Sequence, residues 1–289
     1  MADIKEITEE EITIEATEEA TEETTEDSTE EMTEEKQKAD FKEEIKQRWE
    51  ESAEGYHQGI TNELGGEKRE AWKKLILMNA PQKEGMKILD IGTGPGFFPV
   101  ILGEEGHFVT GIDLTENMLK FAEKNAKDNG VEAEFIRMDC TKPEFPDETF
   151  DLIICRNLTW ILTEPEDTYR EWQRILKKDG RILIFDANWN SYLFDDDIRK
   201  KREENLNNVR EKYGFASHDH LDQDEVEEEG RRLPMGRFNR PAWDLDTFIK
   251  LGFKYVVADT DISDKIPFSE KELMEYEGIT PQFMVGAQK

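Results

Sequence analysis

Residues Ile88-Leu89-Asp90-Ile91-Gly92-Thr93-Gly94-Pro95-Gly96 form an apolar run that ends beside an acid and opens into a glycine-rich bend. A buried strand delivers the backbone to a turn where side chains would obstruct a ligand. Glycine permits positive φ and close approach to the main chain. The stretch from Phe97 to Leu102 can open a helix whose first amides face that ligand. The next strand, expected over Phe108–Ile112, stops at Asp113. An acid at that point is placed to accept ribose hydroxyls. The chemistry read from these residues is nucleoside binding.

Which nucleoside depends on the spacing. A dinucleotide loop needs G-x-G-x-x-G, whereas Gly92, Gly94 and Gly96 bring the third glycine one residue early, and Pro95 stiffens the bend. Asp90 stands just before the first glycine, where a dinucleotide fold keeps an apolar residue. A dehydrogenase is therefore disfavoured.

The whole string resembles the class I S-adenosylmethionine-dependent methyltransferases. It is similar to their small-molecule branch, which includes the ubiquinone and menaquinone C-methyltransferases (the methyltransferase type 11 domain). The resemblance covers roughly residues 45–190. It implies backbone contacts to the methionine moiety from Gly92, Thr93, Gly94 and Gly96, and a role for Asp90 in receiving the amino group. It also implies that Asp113 holds both ribose hydroxyls and that Leu114 and Met118 flank the adenine. Asp139, next to Cys140, would accept from the adenine amine, and Asn157 and Trp160 would lie near the sulfonium. Methyltransferases of base or amide nitrogens carry Asn/Asp-Pro-Pro-Tyr after the fourth strand. Asn157-Leu158-Thr159-Trp160 has no proline pair, so those targets are disfavoured. The resemblance further implies a small-molecule acceptor, with a protein or RNA methyltransferase and a non-catalytic binding module as alternatives.

Four histidines offer a base. His107 begins the second strand on the side away from the bend. Tyr56 and His57 close the first helical region, where an aromatic residue would cover the cofactor. His218 and His220 sit in an acidic loop with no third ligand at metal-binding spacing, so no metal site is expected. Asp186, after the fifth strand, is either a substrate contact or a loop cap. Trp160 and Trp189 either line an apolar acceptor pocket or simply pack. Arg231, Arg232, Arg237 and Arg240 either pair with the neighbouring Glu227–Glu229 or clamp an anionic acceptor.

The elements that must position these residues alternate. Strands are expected at Met86–Ile91, Phe108–Ile112, Glu134–Met138, Leu152–Cys155, Arg181–Phe185, Tyr255–Asp259 and Gln282–Val285. Helices are expected over Phe97–Gly103, Thr115–Asn129, Glu164–Lys178 and Leu245–Leu251. Alternation of this kind gives an α/β, Rossmann-like, doubly wound, seven-stranded sheet. The resemblance adds an antiparallel last strand. Residues 38–85, with helices expected over Phe41–Tyr56 and Glu67–Met78, would cover the cofactor site. Residues 190–241 interrupt the rhythm with a charged, partly helical block, including Asp195–Lys212. This block is expected as a lid over the crevice at the strands' carboxyl ends.

The chain of 289 residues has a formal charge of −30, and residues 1–35 carry half of it, with 16 acids and one base. The remainder is also acidic, which opposes a nucleic-acid partner or an anionic membrane surface. Residues 1–37 are Thr- and Glu-rich and are expected as a disordered acidic tail. Deleting residues 1–36 is expected to leave the melting temperature nearly unchanged; a fall of many degrees would show that the tail packs. Two cysteines, no secretory signal and no membrane-spanning run suggest a cytoplasmic protein. The composition leaves the oligomeric state open.

Overall fold

The computed structural model describes residues 9–217, 219, 221–279 and 281–289, with side chains from residue 36 onward. By compactness the chain divides into two units, Met1–Arg48 and Trp49–Lys289. Helix α1, Glu9–Leu64, runs through the boundary between them. It begins inside the stretch expected as a disordered tail. No glycine or proline occurs before Gly55, and glutamate is a good helix former, so nothing local stops the helix at residue 37. His218 and His220 lie outside the described residues.

The second unit is built on one sheet of seven strands. These are β1 (Lys87–Ile91), β2 (Phe108–Asp113), β3 (Glu134–Arg137), β4 (Phe150–Arg156), β5 (Leu176–Asp186), β6 (Tyr255–Asp259) and β7 (Phe283–Gln288), in spatial order β3-β2-β1-β4-β5-β7-β6. Strands β1 to β5 pair in parallel, while β7 runs antiparallel to both β5 and β6. The strand order reverses between β1 and β4, and this switch opens the crevice beyond the carboxyl ends.

The strands explain why both sheet faces are covered. Ile88, Leu152, Ile154, Leu183, Phe185 and Met284 enter one core cluster, with Trp72, Ile76, Val100 and Ile101 from the helices. Their alternates Leu89, Ile91, Ile153, Ile182, Ile184, Phe283 and Val285 enter the other, with Tyr169, Trp172 and Phe248. Side chains alternate across a strand, so strands that are apolar at every position need helices on both sides. The helices that follow α1 are α2 (Lys68–Asn79), α3 (Phe97–Gly103), α4 (Glu116–Asp128), α5 (Pro165–Ile175), α6 (Asp196–Tyr213), α7 (Gln223–Arg232), α8 (Ala242–Lys250) and α9 (Glu270–Tyr276).

Helix α1 runs past its expected end at Tyr56 to Leu64, and the boundary of α5 with β5 also differs from the sequence reading. Helix α5 stops at Ile175, and residues expected to continue it to Lys178 start β5 instead. Leu176 is buried opposite Phe150, and the pairing with β4 then shifts register before Leu152. Tertiary pairing outweighs helix propensity here. The expected lid, residues 190–241, contains α6, α7 and two short helical turns. Asp195 caps α6 by accepting from the amides of Asp197 and Ile198, at 2.9 and 3.1 Å. Asn205 of α6 donates to the carbonyls of Glu275 and Glu277, so the insertion is tied to α9.

Candidate active site

Strand β1 ends in the bend that the glycines permit. Gly92, Gly94 and Gly96 all have positive φ, of 65°, 50° and 80°. A Cβ at Gly96 would lie 2.9 Å from the Ala122 Cβ and 3.0 Å from its Cα, so this glycine lets α4 pack on the loop. Nothing lies within 4 Å of a Cβ built on Gly94. Gly96→Ala therefore combines left-handed backbone strain of about 1–2 kcal/mol with a backbone clash, while Gly94→Ala carries the strain alone. Thermal denaturation is expected to show a clearly larger drop for Gly96→Ala; equal drops would contradict the packing argument.

Asp90 is 3% exposed, and its Oδ2 accepts from the Thr93 hydroxyl at 2.6 Å. Burial pushes its pKa up to about 7. The Thr93 hydrogen bond and the Arg156 charge oppose that rise, and Asp113 adds to it. Asp113 closes β2 with a carboxylate that organises the bend. Its Oδ2 accepts from the Gly94 amide at 2.9 Å, and its Oδ1 accepts from the Thr115 amide and hydroxyl at 2.9 and 2.5 Å. Burial raises its pKa against these three donors. Carboxylate oxygens take more than one donor each, so Asp113 retains acceptor capacity.

Leu114 follows Asp113 and gives its carbonyl to Arg137. Met118 is buried on the inner face of α4. On that same face, Asn125 donates to the Pro95 carbonyl at 2.8 Å and fixes the loop from behind. Sequence reading missed Asn125, although an Asn among Met118, Leu119, Ala122 and Ala126 is a signal of a buried polar duty. Asp139 follows β3, and its Oδ1 accepts from the Thr141 amide and hydroxyl. The next carbonyl, of Cys140, accepts from the Trp172 indole at 2.8 Å.

Beyond β4, Asn157 has φ of 54°. Its amide donates to the Phe185 carbonyl, and its carbonyl accepts from the Trp160 indole. Its Oδ1 is buried without a hydrogen-bond partner. An unmet buried acceptor is costly, on the order of 1–3 kcal/mol, and marks a place for a ligand donor.

Asp186 caps the loop that follows β5. It is 1% exposed. Its Oδ2 accepts from the Thr159 hydroxyl, the Trp160 amide and Arg240, and its Oδ1 accepts from the Ala187 amide and the Trp189 indole. Arg240 does not pair with Glu227–Glu229. It is buried between Asp186 and Asp244 and is bidentate to Asp244 at 2.9 and 3.0 Å. Arg231 pairs with Glu227, and Arg237 lies over the Phe194 ring.

Trp49–Leu64, the end of α1, contributes several contacts within the second unit. Glu50 accepts from the Asn117 amide at the start of α4, and Glu63 pairs with Arg156 at 2.9 Å. His57 stacks on Phe121, with centroids 4.2 Å apart, and its Nδ1 is 3.4 Å from the Asn125 amide nitrogen. That stacking sets His57 against α4. Tyr56 meets Trp49, whose ring in turn meets Trp160. His107 Nδ1 accepts from the Met86 amide, at the opposite end of β1. Among the described residues, no group of three or more His, Cys, Asp or Glu side chains is placed to hold a metal ion. No helix of the described residues is long and apolar enough to cross a membrane.

Comparison with known proteins matches this bend and its strands to a family, the methyltransferase domain, over residues 89–184. The match takes in about a third of the chain. The chain is 38% identical over 105 residues to phosphoethanolamine N-methyltransferase 3 of Arabidopsis thaliana, covering 36% of this chain and 21% of that protein. It is 30% identical over 135 residues to a ubiquinone/menaquinone biosynthesis C-methyltransferase of Vibrio parahaemolyticus, covering 44% and 51%. The chain thus spans about half or less of the length of these two relatives. A solved phosphoethanolamine N-methyltransferase 2 of Haemonchus contortus, in complex with phosphomonomethylethanolamine and S-adenosylhomocysteine, shares the fold. Its TM-score is 0.55 at 18% identity, over 81% of this chain and 57% of that one.

Proposed function

We propose that this chain transfers a methyl group from S-adenosylmethionine to a small-molecule acceptor. The observation that carries this reading is the pair of acids, buried Asp90 and half-buried Asp113, flanking a left-handed glycine bend at the sheet's switch point. The residues present suit such a cofactor. Gly94 leaves open space, and Asp113 keeps acceptor capacity for ribose hydroxyls. Thr93, Gly92 and Gly96 would support the methionine moiety, with Leu114, Met118, Asp139 and Cys140 around the adenine. When bound, the cofactor supplies a methyl group already activated on a sulfonium. The protein's share is then to orient the acceptor and exclude water.

In this reading α2 and the end of α1 cover the cofactor, while residues 190–241 cover the acceptor. A cytoplasmic setting fits the two free cysteines. The acidic surface argues against nucleic acid as a partner.

A screen of thiol, phenol, amine and carboxylate acceptors, followed as S-adenosylhomocysteine release, tests the activity. Product with one class is expected. Cofactor binding with no product from any class would leave a binding module instead.

Asp90 gives the reading a pH signature. Its folded pKa of about 7 lies above the ordinary carboxylate range, so the folded state binds its proton more tightly than the unfolded state. Stability from this group is greatest below about pH 4 and is lost as pH rises towards 7. A cationic amino group beside Asp90 favours the ionised form, so cofactor binding should release a proton near pH 6 and almost none above pH 8.5. Calorimetry in buffers of different ionisation enthalpy reads this directly. No proton release at either pH would remove Asp90 from the cofactor's amino group.

A further inference from the structure

We propose that the methyl acceptor is a small amine, held in an aromatic enclosure at the carboxyl ends of β4 and β5; this rests on the methyl-transfer reading above. Five rings lie there in two groups. Trp49 packs edge-on against Tyr56 at 5.1 Å and against Trp160 at 6.3 Å, and Trp189 packs edge-on against Tyr276 at 5.3 Å. Asp186 joins these groups by accepting from both the Trp160 amide and the Trp189 indole. None of the five belongs to either core cluster, and each keeps part of its surface exposed.

The chemistry of the lining selects the ligand. Aromatic faces attract cations. Two buried amide oxygens, Asn157 Oδ1 and Asn188 Oδ1, follow these same two strands without hydrogen-bond partners, and both ask for N–H donors. Arg240 serves Asp186 and Asp244, Arg156 serves Glu63 and Lys68 serves Glu272, while Arg202 lies over Tyr192 at 4.1 Å. An amine finds acceptors before transfer and π faces for its charge after it. In the step itself, the neutral amine's lone pair forms the N–C bond as the S–C bond breaks, and that electron pair stays on sulfur. The methylated ammonium then gives its proton to water.

The test uses the full chain and two probes of one shape, 2-(dimethylamino)ethanol and its uncharged carbon isostere 3-methyl-1-butanol. Calorimetry on the S-adenosylhomocysteine-loaded protein is expected to show the amine bound at least tenfold more tightly. Tyr56→Leu and Tyr276→Leu should abolish that preference, and Tyr56→Phe and Tyr276→Phe should keep it. The two Tyr276 variants should bind S-adenosylhomocysteine within twofold of the parent. In turnover, primary and secondary amines should release more S-adenosylhomocysteine than phenols, thiols or carboxylates. Equal binding of the two probes, an unchanged preference in both leucine variants, or preferred turnover of another class overturns the amine assignment while leaving methyl transfer standing. Failure of the parent protein to bind S-adenosylhomocysteine overturns the underlying reading as well.

Discussion

Asp113→Ala is expected to weaken S-adenosylmethionine binding by a hundredfold or more while leaving a folded protein. Two effects add. A carboxylate that accepts two ribose hydroxyls contributes about 1.5–3 kcal/mol per charge-assisted hydrogen bond, and tenfold in affinity corresponds to about 1.4 kcal/mol. The same carboxylate also shapes the loop, since the Gly94 amide and both Thr115 donors converge on it. Without it, the amide of the open Gly94 bend loses its anchor, so pre-organisation is lost with the contact. The core residues of β1 and β2 are untouched, so circular dichroism should remain native. Titration calorimetry decides the matter. Unchanged affinity would mean that the ribose is held elsewhere.

The largest stability effect is expected at Arg240. Its side chain is 1% exposed and lies between two carboxylates that are fully enclosed. Removing one partner of such a cluster leaves uncompensated buried charge and costs about 3–5 kcal/mol. The two acids do not suffer equally. Asp186 keeps four donors after Arg240→Met: the Thr159 hydroxyl, the Trp160 and Ala187 amides and the Trp189 indole. Asp244 keeps the Tyr169 hydroxyl at 2.7 Å. Arg240→Met should therefore lower the melting temperature by roughly 10 °C, from about 2–4 °C per kcal/mol in a domain of this size. Adding Asp244→Asn, which is neutral yet still accepts from Tyr169, should recover part of the loss. A double variant no more stable than Arg240→Met would contradict the charge argument.

This cluster also shows where sequence reading stops. The crevice was legible because its signals are local. An apolar run, an acid and three glycines share nine residues, and Asp113 closes the very next strand. The alternation of strands and helices was legible for the same reason, and all seven expected strands are found. Arg240 and Asp186 lie 54 residues apart, and nothing in their neighbourhoods announces a pair. The nearby glutamates offered Arg240 a closer partner in sequence, but the fold chose Asp186 and Asp244. Likewise the end of α5 was misread because Leu176 is decided by its pairing with Phe150, not by its helical neighbours. The tail was read from composition, which reports the capacity to bury surface rather than the capacity to continue a helix. Tyr276 escaped notice because its significance lies in meeting Trp189 from a distant part of the chain.

The central claim is that the bend between β1 and α3 holds a methyl-sulfonium nucleoside. Calorimetry of the full chain against S-adenosylhomocysteine and, separately, NAD tests it most directly. One molecule of S-adenosylhomocysteine should bind per chain, and NAD should give no heat of binding. Saturable NAD binding with none for S-adenosylhomocysteine would contradict the account.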